Sequence, residues 1–317
     1  MRILVTGAAG FIGSHLCDAL LEGGHAVMGL DNFNDFYDPA IKARNIAGAE
    51  QHARFELVRG DILDRVLLAD LFGRFRPDVV VHLAAWAGVR PSIDRPGLYQ
   101  RVNIEGTTNL LEQCRASGVD RFVFASSSSV YGDREQVPFR EDDRVDMPIS
   151  PYAATKAAGE LLCYTWHHLF GLHCHCLRFF TVYGPRQRPE MAIHKFARLM
   201  AAGQPITLYG DGSSSRDYTF VDDIVAGVVA SVERVQGYRI YNLGESKTTT
   251  LAELVDHLAR SLGVTPTIER LPLQPGDVSR TFADLTRARG ELDYDPKVDI
   301  ATGIDRFVAW FRGQPAD

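Results

Sequence analysis

The chain has 317 residues, a formal charge of −6 and a hydrophobic fraction of 45%, enough apolar material for one large core carrying a second, smaller lobe. Charges of both signs are interspersed without runs, which excludes the footprint of a nucleic-acid or anionic-membrane binder and leaves any anionic ligand to local cations. No apolar stretch approaches the roughly 20 residues of a membrane span, and the five cysteines (Cys17, Cys114, Cys163, Cys174, Cys176) sit inside apolar patterns, pointing to buried thiols in a reducing, cytoplasmic setting.

In chain order, Arg2 to Thr6 is a short apolar run that reads as a strand, not as a cleavable leader. A glycine-rich turn follows, and Phe11 to Leu21 carries apolar residues at helical spacing until Gly23-Gly24 stops it. Further strands are predicted at Ala26–Leu30, Phe55–Arg59, Asp78–Leu83, Arg121–Ser126 and His173–Phe179, with helical patterns between most of them. This alternation implies right-handed crossovers and an α/β fold: a Rossmann-type, doubly wound parallel sheet covered on both faces. Beyond Phe179 the pattern loosens into Gly/Pro-punctuated segments with helices near 192–202, 222–233, 251–262 and 302–311. Residues 1–180 are therefore expected to form the dinucleotide-binding domain, with later segments returning to it, and residues 181–317 mainly a smaller α/β substrate lobe.

Gly7-Ala-Ala-Gly10-Phe11-Ile12-Gly13 stands between the first strand and the first helix. Gly7 permits the tight turn, Gly10 lets the backbone approach a pyrophosphate, and Gly13 allows close helix–sheet packing, while the helix start supplies free N–H groups. Asp31, followed by Asn32, ends the second strand eighteen residues after Gly13, where a carboxylate accepts hydrogen bonds from a ribose and repels a 2′-phosphate; NAD is thus favoured over NADP. Asp61-Ile62 and Leu83-Ala84-Ala85 end the third and fourth strands, at the rim where such sheets hold ligands. The first pair is assigned to adenine, the second segment to the nicotinamide-side ribose and phosphates.

Tyr152 and Lys156, four apart at the start of a helix opened by Ser150-Pro151, share one helix face. A phenol titrating near pH 10 is a poor base at neutrality, and lowering it by three units takes about 4 kcal/mol, which a desolvated ammonium and a nicotinamide cation beside it would provide. Such a pair arises often by chance, and a serine run alone is usually a loop. Here Ser126-Ser127-Ser128-Ser129 terminates the fifth strand at the same sheet edge, where a hydroxyl reaches the oxygen that Tyr152 deprotonates. His173-Cys-His-Cys176 is not read as a metal site, because alternate side chains of a strand face opposite ways; no metal is expected.

Together the glycine motif, Ser126 to Gly132, Tyr152-x-x-x-Lys156 and Arg178-Phe-Phe-Thr-Val-Tyr-Gly-Pro185 resemble the extended short-chain dehydrogenase/reductase family over nearly the whole chain. The resemblance implies a Ser127/Tyr152/Lys156 triad, Val182 beside the nicotinamide, a UDP-sugar substrate and a homodimer built on helices near 98–115 and 154–170. It also implies inversion of a carbinol centre through a transient 4-keto sugar, with NAD retained. Family members that eliminate water or carbon dioxide carry an acid just before the Val-Tyr-Gly motif, where this chain has Ser128-Ser129. Thr181 stands where members acting on UDP-glucose usually place Asn. With Asp31-Asn-Phe-Asn34, Tyr37-Asp-Pro39, Ala87-Gly-Val-Arg90 and Gln187-Arg-Pro-Glu-Met-Ala192, the chain resembles members acting at C4 of UDP-glucuronate, although Trp86 and Glu190 depart from that pattern. Ser128, Ser129 and Thr181 would hold the C6 carboxylate, Arg90 another part of the substrate, Arg188 and Arg216 the diphosphate, and Asp277 the uridine ribose. C4 epimerisation of UDP-glucose or a UDP-N-acetylhexosamine, or an idle NAD-binding protein, remain the alternatives.

Overall fold

A computed structural model describes residues 1–272 and 280–314. Its first half alternates strand and helix: β1 (Arg2–Thr6), α1 (Phe11–Glu22), β2 (Ala26–Asp31), α2 (Pro39–Glu50), β3 (Phe55–Arg59), α3 (Arg65–Phe75) and β4 (Val79–His82). Two short helices, α4 (Val89–Asp94) and α5 (Pro96–Gln100), lead through a π-helical turn at Arg101–Glu105 into α6 (Gly106–Ser117); then come β5 (Arg121–Ser127), α7 (Pro151–Phe170) and β6 (His173–Phe179). The rest comprises β7 (Thr181–Tyr183), α8 (Ala192–Ala201), β8 (Ile206–Tyr209), β9 (Ser215–Arg216), β10 (Tyr218–Phe220), α9 (Val221–Arg234), β11 (Tyr238–Leu243), β12 (Thr249–Thr250), α10 (Leu251–Leu262), β13 (Ile268–Leu271), α11 (Thr286–Leu292) and α12 (Ile300–Arg312).

Seven of the described strands form one parallel sheet in the order β11-β6-β5-β4-β1-β2-β3. Strand alternation divides its side chains between two layers. Ile3, Val5, Val79 and Val81 join the layer that holds Leu16 and Leu20 of α1 and Ile224 and Val228 of α9. Leu4, Val80, Phe122 and Phe124 face Leu68 and Leu71 of α3 and Leu110 and Leu111 of α6. The chain winds outward from β1 to β3 and then crosses to β4 on the other side of β1, so the carboxyl ends of β1 and β4 flank the crevice where open α/β sheets take ligands.

The predicted strands fall within one or two residues of those observed. The sequence reading missed β11, which reaches the edge of the sheet through the crossover helix α9, itself packed on α1. The smaller lobe sets β8 against β13 and buries Phe196, Met200, Leu254, Leu258, Ile304 and Phe307 among α8, α10 and α12. On β6 the buried Cys174 and Cys176 meet the Cys163 thiol of α7, while His175 points through the other face to Ser231 of α9 at 2.9 Å. Among the described residues no group of His, Cys, Asp and Glu is arranged to hold a metal, and no helix is long and apolar enough to cross a membrane.

Candidate active site

The glycine turn between β1 and α1 has the shape that a dinucleotide requires. Gly7 sits at φ +71°, donates its N–H to the Leu30 carbonyl at 2.8 Å, and leaves so little room that a Cβ would come 2.8 Å from the Ala84 nitrogen. A Cβ on Gly13 would run into the Gly7 carbonyl oxygen. Gly10 caps α1 without a side-chain hydrogen bond and the first turn contains no acid, so the free N–H groups and the positive helix end are left for an anion. At the end of β2 the buried Asp31 carboxylate accepts from Ala9 N–H at 3.1 Å and Phe33 N–H at 2.9 Å. Lys42, which sequence reasoning overlooked, lies 3.8 Å from Asp31 and donates to Asn34 Oδ1 at 3.1 Å. Burial weakens its hold on its proton and Asp31 opposes that effect. Asn32 donates to Asp61 at 2.9 Å, joining the tips of β2 and β3. These residues fit NAD: a cradle closed to any Cβ at the pyrophosphate end, and a buried carboxylate at the ribose end.

A second layer steadies the rim after β4. His82 is buried between Thr6 (Oγ to Nδ1, 2.7 Å) and Thr107 (Oγ to Nε2, 3.0 Å), and burial pushes its pKa down to about 3, so it is neutral. Asn103, carried on the π turn, grips both backbone groups of Trp86: it accepts the N–H at 2.8 Å and donates to the carbonyl at 3.0 Å. The same amide donates to Thr155 of α7, whose hydroxyl bonds the Tyr152 carbonyl. No sequence signal separates this π turn from the helices on either side of it.

Ser150 caps α7 by accepting from Ala153 N–H at 3.1 Å, and Pro151 supplies the first helical φ. Tyr152 and Lys156 therefore sit on the first turns of a well-started helix that packs against β5. Tyr152 is hydrogen-bonded to Ser127, and Ser127 Oγ accepts both the N–H (3.2 Å) and the hydroxyl (2.8 Å) of Ser129. Lys156 Nζ donates to the Ala125 carbonyl at 2.7 Å and lies 5.9 Å from the centre of the Tyr152 ring. Burial raises the Tyr152 phenol above its usual value, while the Ser127 hydrogen bond and the Arg188 charge act the other way. The sequence reading gives that lowering to Lys156 and the cofactor cation; Ser127 and Arg188 act in the same direction. Burial likewise draws Lys156 down to about 8.

One cavity of about 680 Å³ brings together the nominated residues, from Gly7 and Asp61 through Ser127 and Tyr152 to Thr181 and Arg216. Asp277 lies outside the described residues. Arg90 stacks on Tyr209 at 5.0 Å, bridging the two lobes, and Arg216 stands on β9 beside Thr281 at the far wall. Arg188, nominated for the diphosphate, lines the same cavity: its guanidinium lies over Phe36 at 5.5 Å, its Nε is 2.8 Å from Glu190, and its charge reaches Tyr152, Tyr99 and Tyr37. Edge-on aromatic contacts run from Phe36 through Trp86 and Tyr99 to Tyr152 at 5.2, 6.4 and 6.3 Å. The cavity thus pairs a proton-transferring phenol with a dinucleotide cradle and a cluster of short hydroxyls, an arrangement suited to reversible oxidation of a carbinol.

Comparison with known proteins agrees with this chemistry. The model of the NAD-dependent epimerase/dehydratase family matches residues 3–244. UDP-glucuronate 4-epimerase of Thermodesulfobacterium geofontis is 42% identical over 97% of this chain and 95% of its own. UDP-glucuronate 4-epimerase 1 of Arabidopsis thaliana is 44% identical over 98% of this chain and 76% of its own. The crystal structure of UDP-glucuronic acid 4-epimerase from Bacillus cereus, in complex with UDP-glucuronic acid and NAD, superposes with a TM-score of 0.94 at 39% identity, covering 98% of this chain and 99% of that one.

Proposed function

The chain belongs to the NAD-dependent epimerase/dehydratase family, and on that footing we propose that it epimerises UDP-glucuronate at C4 to UDP-galacturonate. The observation that carries the proposal is the meeting, in one cavity, of Ser127, Tyr152 and Lys156 with the hydroxyls of Ser128, Ser129 and Thr181.

What NAD supplies when bound is a reversible hydride acceptor for C4, so that the sugar passes through a 4-keto form. Gly7, Gly10, Phe11, Ile12 and Gly13 hold its pyrophosphate at the start of α1, Asp31 and Asn32 one ribose, Asp61 and Ile62 the adenine; Leu83, Ala84, Ala85 and Val182 line the nicotinamide end. Lys156 spends one donor on Ala125 and has two left for ribose hydroxyls. Tyr152 takes the proton from the C4 hydroxyl, Ser127 shares that oxygen, and the same phenol returns the proton once hydride has been delivered to the opposite face. A ketone at C4 makes glucuronate a β-keto acid, which loses carbon dioxide when its carboxylate bond aligns with the carbonyl π system. Ser128, Ser129 and Thr181 hold the carboxylate away from that alignment. Arg216 and Arg90 serve the diphosphate end, while Arg188 serves the reacting end.

The lobes share this work: residues 1–180, with α9 and β11, build the cofactor side, and most of the remainder covers the sugar nucleotide. The five free, buried cysteines support a cytoplasmic setting. Leu161 and Tyr164 of α7, 68% and 51% exposed one turn apart, support a homodimer through that helix.

The test is to incubate the protein separately with UDP-glucuronate and UDP-glucose and resolve the epimers. UDP-galacturonate from the first is the expected product. Conversion of UDP-glucose alone would transfer the activity to a neutral sugar, and turnover of neither would leave an idle NAD-binding protein.

A further inference from the structure

Behind the reacting face, where β5 packs against α7, lies a buried ion pair that takes no part in the steps above. Arg178 of β6 and Glu160 of α7 are 1% and 3% exposed. They meet in parallel, Nε to Oε1 at 2.9 Å and Nη2 to Oε2 at 2.7 Å. Ser126 is the third member, its hydroxyl donating to Glu160 Oε1 at 2.5 Å. Arg178 further donates to the Glu141 carbonyl at 3.3 Å and lies over the Tyr131 ring at 4.7 Å. Core stability does not demand such a pair, since apolar replacements of similar volume are often neutral or stabilising. Its neighbours in sequence give it a purpose. Ser126 stands between Ala125, whose carbonyl holds Lys156, and Ser127, which holds Tyr152. Glu160 lies one helical turn beyond Lys156, itself one turn beyond Tyr152, along the same face of α7.

We infer that Glu160 and Arg178 are positioning residues for the epimerisation: by gripping Ser126 they lock the end of β5 against α7, which aims Ala125 at Lys156 and Ser127 at Tyr152. This rests on the functional reading above. The groups facing Lys156 are Tyr152, Glu160 and Cys163 from α7, His82 from β4, and the Phe124 ring and Ala125 carbonyl from β5. Burial holds His82 neutral and raises the Cys163 thiol, so both are uncharged near neutrality. Burial also lowers Lys156; Cys163 and Glu160 oppose that in part, and of the two only the Glu160 carboxylate carries charge near neutrality. The working form is the ammonium, so activity is lost as pH rises through the Lys156 pKa, and removing the Glu160 charge must bring that loss to lower pH.

Four variants test this in full-length protein: Glu160→Gln, Arg178→Met, the charge-free double variant, and Ser126→Ala. The pH–kcat profile is followed alongside competitive acetylation of Lys156 against pH, read by mass spectrometry. Glu160→Gln is expected to move the alkaline limb and the acetylation midpoint to lower pH, Arg178→Met to higher pH, and the double variant to fall between. Ser126→Ala, which keeps both charges, is expected to lower kcat about three- to tenfold with the limb unmoved and KM little changed. Ser126→Ala serves if either single charge change fails to fold. Because acetylation needs no substrate, a wild type that turns over no UDP-sugar would overturn the functional reading while leaving the charge effect measurable. Unmoved midpoints in Glu160→Gln, or an unchanged kcat in Ser126→Ala, would overturn the positioning role.

Discussion

The hydroxyl of Thr6 lies 2.7 Å from Nδ1 of His82, and its neighbours order the protons along that contact. Thr107 donates its proton to the Asn103 carbonyl at 2.6 Å, so its oxygen accepts from His82 Nε2–H. Nδ1 is then bare and accepts from Thr6, whose oxygen in turn accepts the Ala84 N–H at 3.2 Å. A directed chain thus runs from the cofactor rim to the π turn that clamps Trp86. Thr6→Val would strand the Ala84 N–H and His82 Nδ1, at about 1–3 kcal/mol for each group. We expect a lower melting temperature and protein that purifies with less than one NAD per chain; a fully loaded, equally stable variant would refute the chain's role.

Two buried histidines make stability fall on mild acidification. Burial lowers His82 to about 3 and His175 to about 4, whereas the unfolded chain titrates near 6.5. Between pH 6.5 and 5 the unfolded state takes up protons that the folded state refuses, so unfolding gains about 1.5 kcal/mol per histidine. Denaturant titrations at the two pH values should show that loss; equal midpoints would mean that these imidazoles are protonated in the fold.

Tyr152→Phe removes the proton acceptor and leaves the ring packed against Tyr99. A fall in kcat of roughly 10²–10⁴-fold is expected, with NAD content unchanged. Turnover near the wild-type rate would assign the proton transfer to another group.

Thr181→Ala removes one of the hydroxyls proposed to steer the C6 carboxylate. The ratio of UDP-pentose to UDP-galacturonate should rise, resolved by chromatography of the same reaction, and an unchanged ratio counts against carboxylate steering.

Leu161→Glu places a charge at the centre of the exposed apolar face of α7. Light scattering should then report a monomer where the wild type gives a dimer. A variant that stays dimeric would move the interface elsewhere.

The six strands from β1 to β6 were legible because each is a short apolar run closed by a polar or glycine turn, and the cofactor cradle because Gly7, Gly10, Gly13 and Asp31 keep a spacing tied to one geometry. Lys42 was not legible: it stands in a helix of small and polar residues whose pattern marks no inward face, and only the fold brings it to Asp31. The reach of Arg188 to Tyr152 was not legible either: the chain after β7 turns at Gly184, at φ +140°, and Arg186, at φ +63°, and brings its charge to bear on the phenol. β11 was not legible because nothing local tells a strand which sheet it will join; that choice is made by α9 packing on α1.

That late return has a consequence for how the molecule can be divided. Severing the chain near Phe180 would bare the backbone edge of β6 along its whole length and strip α1 of the helix that covers it. The partition between nucleotide handling and sugar handling is therefore one of task and not of folding: neither fragment is a self-sufficient unit, and grafting a foreign sugar-binding portion would have to bring its own strand to seal the sheet.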